Sequence, residues 1–214
     1  MSLSELSKYE LTTARLRLLP CNHNHLDGLN AINSDPEVMR YLHGVQTRAE
    51  TKAMIDRVQC RWAELGYSWW TIFEPSSGQI VGAGCIQNLR RGGGTSSEVD
   101  LTCPLEIGWR VRRDRWRQGI ANEAARAMAE FAFTRLRAEV LYAVCQPENK
   151  ASMGVMVKLG MHYRGIEDWY GMKVTTYALS ASNGERLVRY PSPSLHRHRG
   201  TLGTGAAPIC ASAV

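Results

Sequence analysis

Residues 105–125, LEIGWRVRRDRWRQGIANEAA, decide how the rest of this chain is read. Leu105, Ile107, Trp109 and Val111 alternate with Glu106, Gly108 and Arg110, the period-two pattern of a strand. An arginine-rich turn follows, ending at Gly119, and a helix opens at once. That order builds an anion site, because the first N–H groups of a helix have no internal partner and the helix dipole is positive there. A phosphorylated ligand is expected on Gln118, Gly119, Ile120 and Ala121.

The chain around this stretch has 214 residues, enough for one well-buried core. Hydrophobic residues make up 44% and charged residues 21%, the balance of a soluble globular protein. Residues 1–182 read as one domain and 183–214, a basic segment with Pro, Gly and Ala, as a tail without a core role. No apolar run is long enough to cross a bilayer and MSLSELSKYE is no secretory signal, so no membrane role and a cytoplasmic address are expected. The six cysteines stand singly and no histidine has metal-ligand spacing, which predicts reduced thiols and no metal. The net charge of +6 is concentrated: five arginines against Asp114 in residues 109–118, and four against Glu185 from Asn183 onward. A DNA-binding surface is therefore disfavoured relative to one local phosphate site.

Upstream, residues 12–20 read as a strand with Leu16 and Leu18 on one face. Asp35 and Pro36 open a short helix. Thr47 and Glu50 form a capping box, Met54, Val58, Trp62 and Leu65 recur at helical spacing, and Gly66 closes that helix. Residues 67–73 and 79–89 flank the turn PSSG as a hairpin. Residues 90–104 form a Gly- and Ser-rich loop expected to be mobile. Downstream, the helix from Ile120 runs to about Leu136, and residues 139–147 form a strand that should run parallel to the one at 105–111. Asn149 caps a helix ending at Gly160, and a last antiparallel hairpin turns at Gly171.

This order, with TARLRLLP, NSDPEVMRYL, LEIGWRV, WRQGIANEAARA and NKASMGVMVKLGM, resembles the GNAT superfamily of acyl-CoA-dependent N-acetyltransferases over residues 12 to about 180. The likeness is greatest to the Rim-type branch, which acetylates ribosomal-protein N-termini. It implies an α/β (α+β) fold: a mixed, twisted sheet of about seven strands, helices on both faces, and a parallel pair splayed at the acetyl-CoA site. Two positions depart from the superfamily pattern. Trp116 opens the turn where Gln or Arg is usual, an aromatic that Rim-type relatives share. Met156 stands where many members carry an acid tyrosine, and the resemblance moves that role to Ser152. It also assigns coenzyme contacts to Trp109, Val111, Arg117, Gln118, Gly119, Ile120, Ala121, Asn122 and Asn149, and the base role to Glu106.

Acetyl transfer needs a neutral amine, a polarised thioester and a proton for the leaving thiolate. Deprotonating a lysine at pH 7 costs roughly 4.6 kcal/mol, an α-amine only about 1.4, so a single carboxylate suffices for the latter. Glu106, in a strand covered on both faces, is either that carboxylate with a raised pKa or the partner of an arginine such as Arg110. Ser152 and Asn149 are either coenzyme contacts or ordinary helix-start residues. Cys103 and Cys145 offer a ping-pong route through an acetyl-cysteine, but a lone cysteine is more often an inert small hydrophobe, which favours direct transfer. The acceptor is a protein N-terminal or small-molecule amine. Alternatives are a non-catalytic acyl-CoA-binding or ribosome-associated module, and an aminoglycoside-type N-acetyltransferase, for which Glu98 and Asp100 are the only close acids. A homodimer is compatible with all of these.

Overall fold

The computed structural model describes residues 6–42, 44–92 and 99–182. The tail from residue 183, His43 and residues 93–98 with Glu98 lie outside the described residues. Eight strands form one sheet in the order β1-β2-β3-β4-β5-β6-β8-β7. The ranges are β1 Leu11–Thr12, β2 Arg17–Pro20, β3 Trp69–Glu74, β4 Gln79–Asn88, β5 Leu105–Val111, β6 Val140–Cys145, β7 His162–Trp169 and β8 Met172–Ser180. The eighth strand arises because the first segment breaks in two. Thr13 Oγ1 accepts the Leu16 N–H at 3.0 Å and Thr13 N–H donates to Leu16 O at 2.9 Å, a local turn that folds β1 back on β2.

Every neighbouring pair is antiparallel except β5 and β6, as a crossover helix between them requires. Their ladder consists of one paired position, Glu106 with Tyr142. Beyond it the two strands part.

Helices α1 Leu26–Asn33, α2 Pro36–Met39 and α3 Arg48–Leu65 come between β2 and β3. Asp35 caps α2 with Pro36 at its first position, and the Thr47–Glu50 capping box opens α3, which Gly66 ends at φ 73°. The crossover helix α4, Ile120–Thr134, is amphipathic and buries Ile120, Ala124, Met128 and Phe131. It covers the face that carries Trp70, Gly84 and Trp109. A Cβ on Gly84 would meet Met128 Cε at 2.6 Å, so glycine permits that approach. The turn before α1 sits on the opposite face, where His25 Nδ1 and Thr71 Oγ1 are 2.9 Å apart. Helix α5, Lys150–Lys158, follows β6. None of the described helices is long and apolar enough to cross a membrane.

Candidate active site

A cavity of about 1590 Å³ crosses the sheet edge where β5 and β6 part. One arm is walled by the β5–α4 turn and α5, the other by α2, α3 and the face of β3, β4 and β5 that α4 leaves uncovered. Glu106 stands at the junction.

The first arm is shaped by an unusual turn. Arg117 and Gly119 both have positive φ, 62° and 81°. Arg15 fixes the turn from outside: Nη1 donates to Gln118 O at 3.0 Å, while Nε and Nη2 bind Glu123 at 2.7 and 2.6 Å. Because a trans peptide points its N–H opposite its C=O, pinning the Gln118 carbonyl outward turns the Gly119 N–H the other way. The arginines divide the work. Arg112 and Arg115 are held by Asp114, and Arg115 also by Glu74, whereas exposed Arg117 has no ion-pair partner among the described residues. Of the predicted phosphate contacts, Arg117, Gly119, Ile120, Ala121 and Asn122 line the cavity. Gln118 does not, since its amide turns back to Asp114 O at 3.0 Å.

Trp109 and Val111 lie on the free edge. Arg112 N–H bonds to Val81 O at 2.8 Å, so by strand alternation the peptide groups of Trp109 and Val111 point away from β4, toward the gap. The Val111 carbonyl is already taken by the Trp116 indole at 2.7 Å. That is the task of the aromatic at the turn's first position: it closes the turn on the strand. Asn122, on the cavity wall, has a buried Oδ1 without a hydrogen-bond partner, an acceptor open to a ligand N–H.

Glu106 is buried and accepts from Gln87 Nε2 at 3.1 Å and from the Tyr170 hydroxyl. Burial pushes its carboxyl up to about 7, against the lowering pull of those two donors. The pairing with Arg110 that the sequence left open is not formed. Arg110 instead stacks over the Trp69 ring at 4.5 Å. Tyr170, raised strongly by burial and by Glu106, keeps its proton and can only donate to the carboxylate.

Tyr170 is the residue that sequence reasoning missed. The only trace was Tyr-Gly between two strand patterns: both residues have positive φ, 57° and 71°, in a tight hairpin turn, a costly conformation for an aromatic. Ser152 and Asn149 line the cavity. The Asn149 side chain caps α5 by accepting the Ser152 N–H at 3.1 Å, while the Ser152 hydroxyl has no partner among the described residues. Met156 is buried. The five described cysteines are free, and burial pushes Cys145 up to about 11 and raises Cys103, leaving both as protonated thiols. Among the described residues no three metal-ligating side chains come together.

Residues 15–162 match the family model described as an Acetyltransferase (GNAT) domain. The chain is 30% identical over 168 residues to YkkB of Bacillus subtilis, an uncharacterised protein, covering 76% of this chain and 91% of that one. It is 30% identical over 201 residues to the FsC-acetyl coenzyme A-N(2)-transacetylase of Aspergillus fumigatus, covering 88% and 82%. Its fold is similar to that of RimL, a ribosomal alpha-N-protein acetyltransferase solved with coenzyme A, at TM-score 0.66 and 16% identity over 81% of this chain and 99% of that one.

Proposed function

The chain belongs to the GNAT acetyltransferase family, and on that premise we propose that it moves acetyl from acetyl-CoA directly to a primary amine. A protein N-terminal α-amine, in the manner of the Rim-type branch, is the leading acceptor. The observation that carries this reading is Glu106, a buried carboxyl held near neutrality at the point where β5 and β6 separate. A base of that strength is matched to an α-amine, whose deprotonation at pH 7 costs only about 1.4 kcal/mol. The coenzyme supplies a thioester carbon for the amine to attack, with coenzyme A thiolate as leaving group.

The chain's own residues do the rest. Glu106 takes the proton that the amine sheds as the new C–N bond forms. Ser152, its hydroxyl uncommitted on the cavity wall, gives a proton where the C–S bond breaks. The Trp109 peptide groups and the Val111 N–H extend the β5 edge toward the pantetheine amides, as an added strand would. The amides of Gly119, Ile120 and Ala121, with Arg117, hold the diphosphate end, and Asn122 Oδ1, an acceptor, takes an N–H of the coenzyme. Asn149 positions Ser152 through its cap.

A second acceptor, a small-molecule amine, draws support from the Aspergillus relative, whose name describes transfer from acetyl coenzyme A to a nitrogen designated N(2). Thiol release from acetyl-CoA with a panel of N-terminal peptides and small amines tests the proposal. On an accepted amine, Glu106→Gln should lose about 10²–10⁴-fold in kcat/KM, and Ser152→Ala should lose kcat. Wild-type rates from both variants would remove the assigned roles.

A further inference from the structure

The second arm of the cavity holds a buried guanidinium, that of Arg110. Arg110 projects from the same face of β5 as Glu106, with Gly108 between them leaving the floor bare. It is 8% exposed, and its Nε and Nη2 have no hydrogen-bond partner. A guanidinium taken out of water is expensive unless an anion meets it, and one aromatic face answers only part of that need.

No carboxylate among the described residues forms an ion pair with Arg110. The thiols beside it, Cys21 and Cys85, are raised by burial and stay neutral. Arg57, Arg61 and Arg90 line the same arm, and the Arg61 guanidinium is pushed down by burial and then by the repulsion of Arg57 and Arg90. The acids there are committed: Glu37 lies 3.9 Å from Arg40, Asp100 accepts from Thr102 and Cys103, and Glu106 is the base.

The guanidinium and the base are joined by a row of contacts. Arg110 lies over Trp69, Trp69 Nε1 donates to Gln87 Oε1 at 3.2 Å, and Gln87 Nε2 donates to Glu106 at 3.1 Å. One indole and one amide therefore separate guanidinium from base. Four strand residues set the two Cα atoms about 13 Å apart, a span suited to a peptide N-terminus or to an amine whose carboxylate stands several atoms away.

Resting on the acetyl-transfer reading, we propose that the acceptor amine carries a carboxylate and that Arg110 is the residue that receives it. A bidentate carboxylate satisfies the two orphaned donors. The same charge rejects a polycationic sugar.

The test is a matched acetylation panel. Free amino acids whose amine and carboxylate stand several atoms apart are compared with their carboxamides, and peptides with Asp or Glu near the N-terminus with their Asn or Gln counterparts, in wild type, Arg110→Lys and Arg110→Met. The wild type should favour carboxylate over carboxamide by at least about 10-fold in kcat/KM. That ratio should fall toward one in Arg110→Met and survive in part in Arg110→Lys. Preference confined to the amino-acid pairs identifies a small-molecule acceptor, and preference confined to the peptide pairs an acidic N-terminus; either supports the proposal. Carboxamides used as well as carboxylates, or an undiminished preference in Arg110→Met, overturns it while acetyl transfer stands. No thiol release from any amine, with the coenzyme seen to bind by calorimetry, overturns both. A thermal midpoint for Arg110→Met near that of the wild type shows that the loss is one of recognition.

Discussion

Glu106 sits against its own solvation. Its carboxyl, ordinarily near 4.5, is held at about 7 by burial, so the folded state prefers the protonated form. Stability from this group is complete below pH 4.5 and is lost as pH rises through 7. Above that, the buried carboxylate costs on the order of 3 kcal/mol relative to an unperturbed one. Glu106→Gln keeps the shape without the charge, so its thermal midpoint should gain on the wild type between pH 5 and 8 while turnover collapses. Parallel melts across that range check this, and a constant difference between the two proteins would contradict it. The same value sets the acid limb of the wild-type pH profile, where kcat/KM should fall below about pH 7. Tyr170 works on that limb through its hydrogen bond to the charged carboxylate. Tyr170→Phe removes a contact that favours ionisation, so the limb should move to higher pH; a limb that stays in place would make the tyrosine merely structural.

The β5–α4 turn shows, as an element, what the sequence revealed and what it withheld. Strand period, glycine and helix start are local features, and each falls where the pattern of residues 105–125 puts it. The capping box of Thr47 and Glu50 and the close of α3 at Gly66 are equally local and equally legible. The clamp of Arg15 on Glu123 and on the Gln118 carbonyl spans more than a hundred residues, and no spacing rule announces it. Nor could the breaking of the first strand be seen, because Thr13 Oγ1 bonds Glu123 at 2.6 Å from within the turn. If this clamp orients the turn's amides, Arg15→Met should weaken coenzyme binding about 10-fold, the worth of one charge-assisted hydrogen bond. Gly119→Val should do more, since φ 81° strains any branched side chain by roughly 1–2 kcal/mol. Calorimetry with coenzyme A reads both, and unchanged affinity in the pair would show that the turn is not the diphosphate cradle.

Across the whole molecule, the sheet is two pieces hinged at one position. Strands β1 to β5 form one ladder and β6, β8 and β7 another, joined at Glu106 and Tyr142. The splayed pair was foreseeable from the resemblance, but what secures it was not. Tyr170 belongs to the far hairpin, yet its N–H bonds Arg90 O at 2.8 Å and its hydroxyl bonds Glu106, while Leu89 and Cys103 share a small core with Trp169 and Val174. These contacts join residues 64 or more positions apart across the seam, so a one-dimensional pattern cannot contain them. The base is thus held by the junction of the two pieces, and the gap beyond it is left for a ligand to close. The N–H groups of Trp109 and Val111 face that gap without a strand partner, so in the free protein they should exchange with solvent faster than those of Gly108 and Arg110, which serve β4. Coenzyme A bridging β5 and β6 should slow both and raise the thermal midpoint, with a gain of about 2.7 kcal/mol at a hundred times Kd. Amide exchange by mass spectrometry or NMR, with and without coenzyme, decides it. Protection that appears only at the α4 N-terminus would mean that the diphosphate end binds while the pantetheine does not complete the sheet.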